Sequence, residues 1–248
     1  MFEVAKEAKE NPKEKIIVAL DVETASEARE IVAELREDVG AFKIGLQLFT
    51  SVGSSFVREL VEKDVKIFLD VKFHDIPNTV AKASIEVARL GVWMFNIHAV
   101  GGSEMMRKTV ENVQEICAKE NLKLPKIIGV TVLTSANQET LREVGIEREL
   151  SEQVLNLAQL SAKCGLDGVV ASPLETNLIR QNIENKDFLI VTPGIRPNVE
   201  TKDDQKRVMT AKEAVENGSD YLVIGRPILQ AKNRFTAVRQ ILEEINGK

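Results

Sequence analysis

Short apolar runs alternate with longer amphipathic stretches along almost the whole chain. Ile16 to Leu20 is one such run; it ends at Asp21, and Thr24 with Glu27 then has capping-box spacing ahead of a helix with Ala28, Ile31, Val32 and Leu35 on one face. The order strand, loop, helix recurs. Ala41 to Ile44 precedes a helix near 47–63, the run ending in Phe68–Phe73 precedes one near 78–90, and Trp93 to Ile97 precedes one near 103–119. Lys126 to Leu133, Gly168 to Ala171, Leu189 to Thr192 and Tyr221 to Ile224 follow, each with helical periodicity after it. Eight strand-helix units in one chain predict an α/β protein with a (β/α)8 barrel, the TIM-barrel architecture. A doubly wound sheet is the alternative, and it rarely supplies so many evenly spaced units. We read residues 15–248 as this single barrel domain and residues 1–14 as a charged N-terminal extension, broken at Asn11-Pro12.

A barrel of this kind places its working residues at the carboxyl ends of the strands. Asp21, Lys43, Asp70, Lys72, His98, Thr134, Arg196 and Arg226 all fall at or just past predicted strand ends. The third unit is the most telling. Its strand is continuously apolar over Ile67 to Leu69, as in a parallel strand buried on both faces, and then turns to alternating charge. Alternation puts Asp70 and Lys72 on one face and Val71 and Phe73 on the other. Asp75 lies beyond the strand, and Pro77 removes a backbone donor, so this acid reaches a site only from a loop.

Together Lys43, Lys72, Asp70 and Asp75 form an array of alternating sign, in which each charge holds its neighbours ionised. No neutral base stands among them. Such an array suits a reaction that develops negative charge on carbon beside a cation able to supply a proton.

Two Gly-x-Arg-Pro segments suggest a phosphate site. Thr192-Pro193-Gly194-Ile195-Arg196-Pro197 follows the seventh strand and Ile224-Gly225-Arg226-Pro227 the eighth, where barrels often bind phosphate through backbone N–H groups and a helix start. Glycine permits close backbone approach, and the arginine fork matches phosphate oxygens. Residues 193–209 are long, polar and aperiodic, the signature of a lid, with Gln205 placed to reach a bound phosphate. The stretch 135–149 is a second lid candidate, although Glu139 to Val144 also reads as a short helix.

Composition narrows the partners. The chain has 248 residues, 44% apolar and 29% charged, with a net charge of −5 and its Lys and Arg dispersed among Glu and Asp. Dispersed charge of this sign argues against nucleic acid and anionic membrane surfaces, so an anionic small ligand needs a local basic pocket. No apolar run approaches membrane-spanning length, and the Lys/Glu-rich start is unlike a signal peptide. Cys117 and Cys164 are far apart and set among apolar neighbours, which fits reduced thiols in a cytoplasmic protein. His74 and His98 are the only histidines and lack the carboxylate spacing of a zinc site, so both read as structural, with His98 supporting the barrel mouth.

Four motifs in order, Asp70-x-Lys72-x-x-Asp75-Ile76-Pro77-Asn78-Thr79, Val130-Thr131-x-Leu133-Thr134-Ser135 and the two Gly-x-Arg-Pro segments, resemble the bacterial form of orotidine 5′-phosphate decarboxylase. The resemblance runs from about Lys15 onward. It implies decarboxylation of orotidine 5′-monophosphate to UMP, the last step of de novo pyrimidine synthesis, with no cofactor and no metal. It implies Lys72 as the proton donor to carbon 6 and Asp70 as the group facing the substrate carboxylate. Asp21 and Lys43 would bind ribose hydroxyls, and Thr134 the pyrimidine. Pro193 belongs to the substrate-binding set, with Arg196, Gln205, Gly225 and Arg226 meeting the phosphate. It also implies a homodimer in which Asp75, Ile76 and Thr79 are donated across a two-fold interface.

Two other readings stand beside this one. Metal-dependent relatives of the same superfamily resemble one another in carrying an acid on the second strand, where this chain has Lys43, whose ammonium would repel a cation. A barrel that binds nucleotides without turning them over is the other, because a fold does not fix a function.

Overall fold

The strand segments are short and dominated by Ile, Val, Leu and Phe, side chains suited to a pleated sheet buried on both faces. The computed structural model describes residues 11–197 and 207–247. In it β1 (Ile16–Ala19), β2 (Ala41–Gly45), β3 (Ile67–Phe73), β4 (Met94–His98), β5 (Lys126–Val130), β6 (Gly168–Val170), β7 (Leu189–Thr192) and β8 (Tyr221–Ile224) pair in parallel in chain order. The barrel closes where β8 pairs with β1. This is the (β/α)8 architecture that the periodicity predicts.

The helices follow as α1 (Ala25–Leu35), α2 (Leu46–Glu62), α3 (Pro77–Arg89), α4 (Gly102–Glu120), α5 (Gln138–Glu143), α6 (Leu150–Lys163), α7 (Thr176–Asn182), α8 (Ala211–Glu216), α9 (Arg226–Leu229) and α10 (Arg234–Ile245). The capping residue expected before α1 is in place, with the Thr24 side chain accepting from the Glu27 N–H. The expected extension over 1–14 lies mostly outside the described residues. From Pro12 to Lys15 the chain makes a 3-10 turn that leads directly into β1.

Alternate strand residues build two apolar layers. Residues such as Ile16, Val18, Ile44 and Leu69 face the helices, whereas Ile17, Phe68, Met94 and Val191 fill the barrel interior. Trp93 and Tyr221 meet edge-on at the amino-terminal end, ring centroids 5.1 Å apart. The same end carries the Lys66–Glu14 and Lys126–Asp167 ion pairs, so structural charge gathers there and leaves the carboxyl ends for chemistry.

The apolar run at the fifth strand extends to Leu133, yet β5 stops at Val130. The Thr131 hydroxyl donates to the Val170 carbonyl at 2.8 Å, and the chain then turns over the barrel mouth. The shorter strand thereby carries Thr134 to the cavity.

Gly168, paired with Leu189 between β6 and β7, has no room for a side chain: a Cβ there would overlap the Leu189 carbonyl oxygen. Gly168→Ala is therefore expected to lower the unfolding free energy by about 1–3 kcal/mol, because the sheet must shift to admit one methyl group. Urea unfolding followed by circular dichroism tests this; an unchanged midpoint would show that the β6–β7 approach is looser than described.

Candidate active site

Parallel strands in a closed barrel bring their carboxyl ends to a common mouth. Here that mouth encloses a cavity of about 410 Å³, within the range of a small-molecule site. Its lining draws on Asp21 after β1, Lys43 in β2, Asp70 and Lys72 in β3, Thr134 after β5, Pro193 and Arg196 after β7, and Gly225 and Arg226 after β8.

The charged residues form a chain of contacts. Lys43 Nζ lies 3.1 Å from Asp21 Oδ1 and 3.3 Å from Asp70 Oδ2, and Lys72 Nζ lies 2.7 Å from Asp70 Oδ1. The order is therefore Asp21, Lys43, Asp70, Lys72, alternating in sign. Strand register produces it, since Gly45 pairs with Asp70 across β2 and β3. Gly45 also leaves space, because a Cβ there would stand 2.8 Å from Lys43 Nζ.

Burial alone would raise the Asp70 carboxyl, but the charges of Lys43 and Lys72 outweigh it and hold this acid below the usual carboxylate range. Burial alone would likewise lower Lys43, and Asp70 with Asp21 instead raises it. Both groups stay charged at neutral pH. His98, at the end of β4, is pushed below its ordinary value by burial, with His74 and Lys72 adding to the effect against the pull of Asp70. Its ring lies 5.5 Å from that of His74, and its Nδ1 is buried without a hydrogen-bond partner.

Lys72 points inward as strand alternation predicts, but by an unexpected route. Its backbone is left-handed, with φ of 52°, and the β3–β4 register shifts between Leu69 and Phe73. A bulge of this kind re-aims a side chain next to a site.

Asp75, Ile76 and Thr79 do not line this cavity. All three are exposed, Ile76 by 68%, and the Asp75 carboxylate accepts from the Ile76 N–H at 2.7 Å. Gln205 lies outside the described residues, as does the middle of the expected lid. The two ends of that lid are joined by a bridge between Ile195 and Met209. The stretch 135–149 is tied down by α5 and by the Gln138 amide, which donates to the Arg148 carbonyl and accepts from the Leu150 N–H.

Several contributors carried no sequence signal of their own. Asn96 sat inside an apolar run, and Gly45 lacked a motif. Arg207 and Glu175 fall on different connections, yet they form a buried ion pair at 2.8 Å, a charge contact off the hydrogen-bond directions. Arg207 Nη2 donates to the carbonyls of Val132 and Leu133 at 3.1 and 2.9 Å, fastening the end of the β7–α8 connection to the segment that carries Thr134. Only long-range contacts reveal such a pair. Among the described residues no group of His, Cys, Asp and Glu is arranged to hold a metal ion, and no helix is long and apolar enough to cross a membrane.

Fold and mouth together define a single-domain (β/α)8 enzyme with a charged cleft at the carboxyl ends of its strands. Residues 14–241 match the model of the orotidine 5′-phosphate decarboxylase / HUMPS family. The chain is similar to orotidine 5′-phosphate decarboxylase of Syntrophotalea carbinolica, 52% identical over 94% of this chain and 95% of that one. It is similar to the enzyme of the same name from Geobacter sulfurreducens, at 51% over 96% and 98%. Among solved structures, orotidine 5′-phosphate decarboxylase from Lactobacillus acidophilus superposes with a TM-score of 0.82 at 38% identity, covering 93% of this chain and 98% of that one. The chain belongs to the orotidine 5′-phosphate decarboxylase / HUMPS family.

The depressed Asp70 contributes stability that is complete above the unfolded carboxylate value, near 3.9, and is lost as pH falls through its lower folded value. Asp70→Asn, which leaves Lys43 and Lys72 facing each other, is expected to cost about 3 kcal/mol. The difference from wild type should be constant between about pH 5 and 8 and shrink below about pH 4. Urea titrations at each pH measure it, and a difference that grows on acidification would contradict the assignment.

Proposed function

We propose that the chain is a carboxy-lyase that converts orotidine 5′-monophosphate to UMP and carbon dioxide without a cofactor, as the last step of pyrimidine nucleotide synthesis. One observation carries this reading: the alternating chain Asp21, Lys43, Asp70, Lys72 shares a single cavity with Arg196 and Arg226. A reaction that builds negative charge on carbon needs a fixed cation beside that carbon, and a nucleotide needs a basic end for its phosphate. The names of the curated relatives agree.

In this reading Arg196, Gln205, Gly225 and Arg226 take the phosphate, with Pro193 beside them. Thr134 meets the pyrimidine, and Asp21 and Lys43 take the ribose hydroxyls. Asp70 faces the substrate carboxylate and Lys72 lies next to carbon 6. The bond between carbon 6 and the carboxyl carbon breaks, its electron pair stays on carbon 6, and carbon dioxide leaves. No ring substituent delocalises that pair well, so the Lys72 ammonium stabilises it electrostatically and then donates a proton to it. Lys72 recovers its proton from water. Binding of the phosphate, remote from carbon 6, supplies energy to close the lid and organise the site.

Lys43 occupies the second-strand position where metal-dependent relatives carry an acid, which supports the metal-free course. The buried reduced thiols Cys117 and Cys164 support a cytoplasmic location. Exposure of Asp75, Ile76 and Thr79 on one loop and helix start supports a homodimer whose partner subunit inserts them beside Lys72.

Loss of orotidylate absorbance on addition of the protein tests the reaction, and tight UMP binding without that loss would overturn it. Lys72→Ala is expected to lower kcat by about 10²–10⁴-fold while UMP still binds; normal turnover would end its role as proton donor. Sedimentation should give twice the 27.5 kDa chain mass. Mixing the Lys72→Ala and Asp75→Asn proteins, each weakly active, should restore turnover by forming hybrids with one intact site. A mixture no more active than its parts would place Asp75 outside the partner's site.

A further inference from the structure

Asn96 lies in the middle of β4, flanked by Met94, Phe95 and Ile97, and is 0% exposed. A carboxamide in that setting costs free energy unless both of its ends find partners. Both do. Its Oδ1 accepts from the backbone N–H of Lys72 at 2.8 Å, and its Nδ2 donates to Asp70 Oδ1 at 2.7 Å. The orientation of the amide is fixed by chemistry, since a backbone N–H can only donate and a carboxylate can only accept.

These two partners are the points at which β3 departs from a regular strand. Lys72 is left-handed, a conformation that side-chain-bearing residues rarely adopt and that needs support from its surroundings. The bulge displaces its N–H from the β3–β4 ladder, and Asn96 from β4 takes that N–H up. The other end of the same side chain holds the Asp70 oxygen that also meets Lys72 Nζ. One side chain thus fixes both ends of the Asp70–Lys72 pair. Asn96 is not part of the cavity lining, so it acts without touching a ligand.

We propose that Asn96 is a positioning residue: it locks the Lys72 bulge and the Asp70 carboxylate together, so that ammonium and carboxylate face the cavity in one geometry. This rests on the decarboxylase reading above. The titratable groups facing Asp70 are Lys43 from β2, Lys72 from its own strand and His98 from β4, with Asp21 beyond Lys43 and His74 beside His98. None of these is a carboxylate in contact with Asp70. Asn96→Asp introduces one at the same size and keeps the acceptor for the Lys72 N–H. Asn96→Leu removes both bonds while keeping the number and branching of the side-chain heavy atoms.

The test is steady-state decarboxylation of orotidine 5′-monophosphate by wild type and both variants from pH 5 to 9, with UMP affinity measured on the same preparations. Displacing the ammonium by about an ångström is expected to lower kcat by about 10²-fold in Asn96→Leu, with the dissociation constant for UMP changed by less than about threefold. Asn96→Asp is expected to show a kcat that rises with pH across this range, as the two carboxylates give up a shared proton, whereas wild type shows no such limb. Should Asn96→Leu fail to fold, the pH profile of Asn96→Asp decides. Variants with kcat within about threefold of wild type and no new limb would overturn the proposal. A wild-type protein that does not consume orotidylate would instead overturn the decarboxylase reading itself.

Discussion

The Asp70 carboxylate is buried at a depth where an isolated acid would keep its proton, and it remains ionised because two ammonium groups flank it. Lys43 is buried in turn, and it remains charged because Asp70 and Asp21 flank it. Each residue offsets part of the cost of burying the other. Such an array is built to be complete or not at all, since removal of one member leaves an uncompensated buried charge. The rest of the mouth is arranged to keep the chain of charges continuous. The β2–β3 register sets Gly45 against Asp70, the absence of a Cβ at Gly45 admits the Lys43 ammonium, and the bulge in β3 swings Lys72 onto the same carboxylate.

The barrel supplies rigidity where the chemistry needs it and connections where the ligand needs them. Asp21, Lys43, Asp70 and Lys72 sit in or directly after the first three strands. Arg196 and Arg226 follow the seventh and eighth strands, and β8 closes the barrel against β1 beside Asp21. The charge array and both arginines thus line one cavity. Arg207, paired with the buried Glu175, joins the end of the β7–α8 connection to the turn that carries Thr134. In this way the end of the β7–α8 connection and the turn after β5 share a buried anchor.

Much of this was legible in the sequence, for identifiable reasons. Eight apolar runs separated by helical periodicity specify the barrel, because parallel strands buried on both faces are predominantly apolar. Charged residues at strand ends stand out against that background, so Asp21, Lys43, Asp70, Lys72, Arg196 and Arg226 were all placed at one mouth, where the structure has them. Two kinds of feature were not legible. Contacts between distant connections, such as Arg207 with Glu175, leave no periodic trace. Departures from ideal strand geometry also escape, because a left-handed lysine and the buried asparagine that serves it look, in sequence, like an ordinary strand beside an apolar one. The end of β5 was misplaced for a similar reason: apolar residues that line a cavity resemble apolar residues that continue a strand.

The decarboxylase reading requires the reacting carbon to meet the charge array and not some other wall of the cavity. A crystal structure with UMP bound measures this directly. Carbon 6 of the ring is expected about 3–3.5 Å from Lys72 Nζ, with the phosphate held by Arg196 and Arg226. A nucleobase turned away from Asp70 and Lys72, with the phosphate in its expected place, would contradict it.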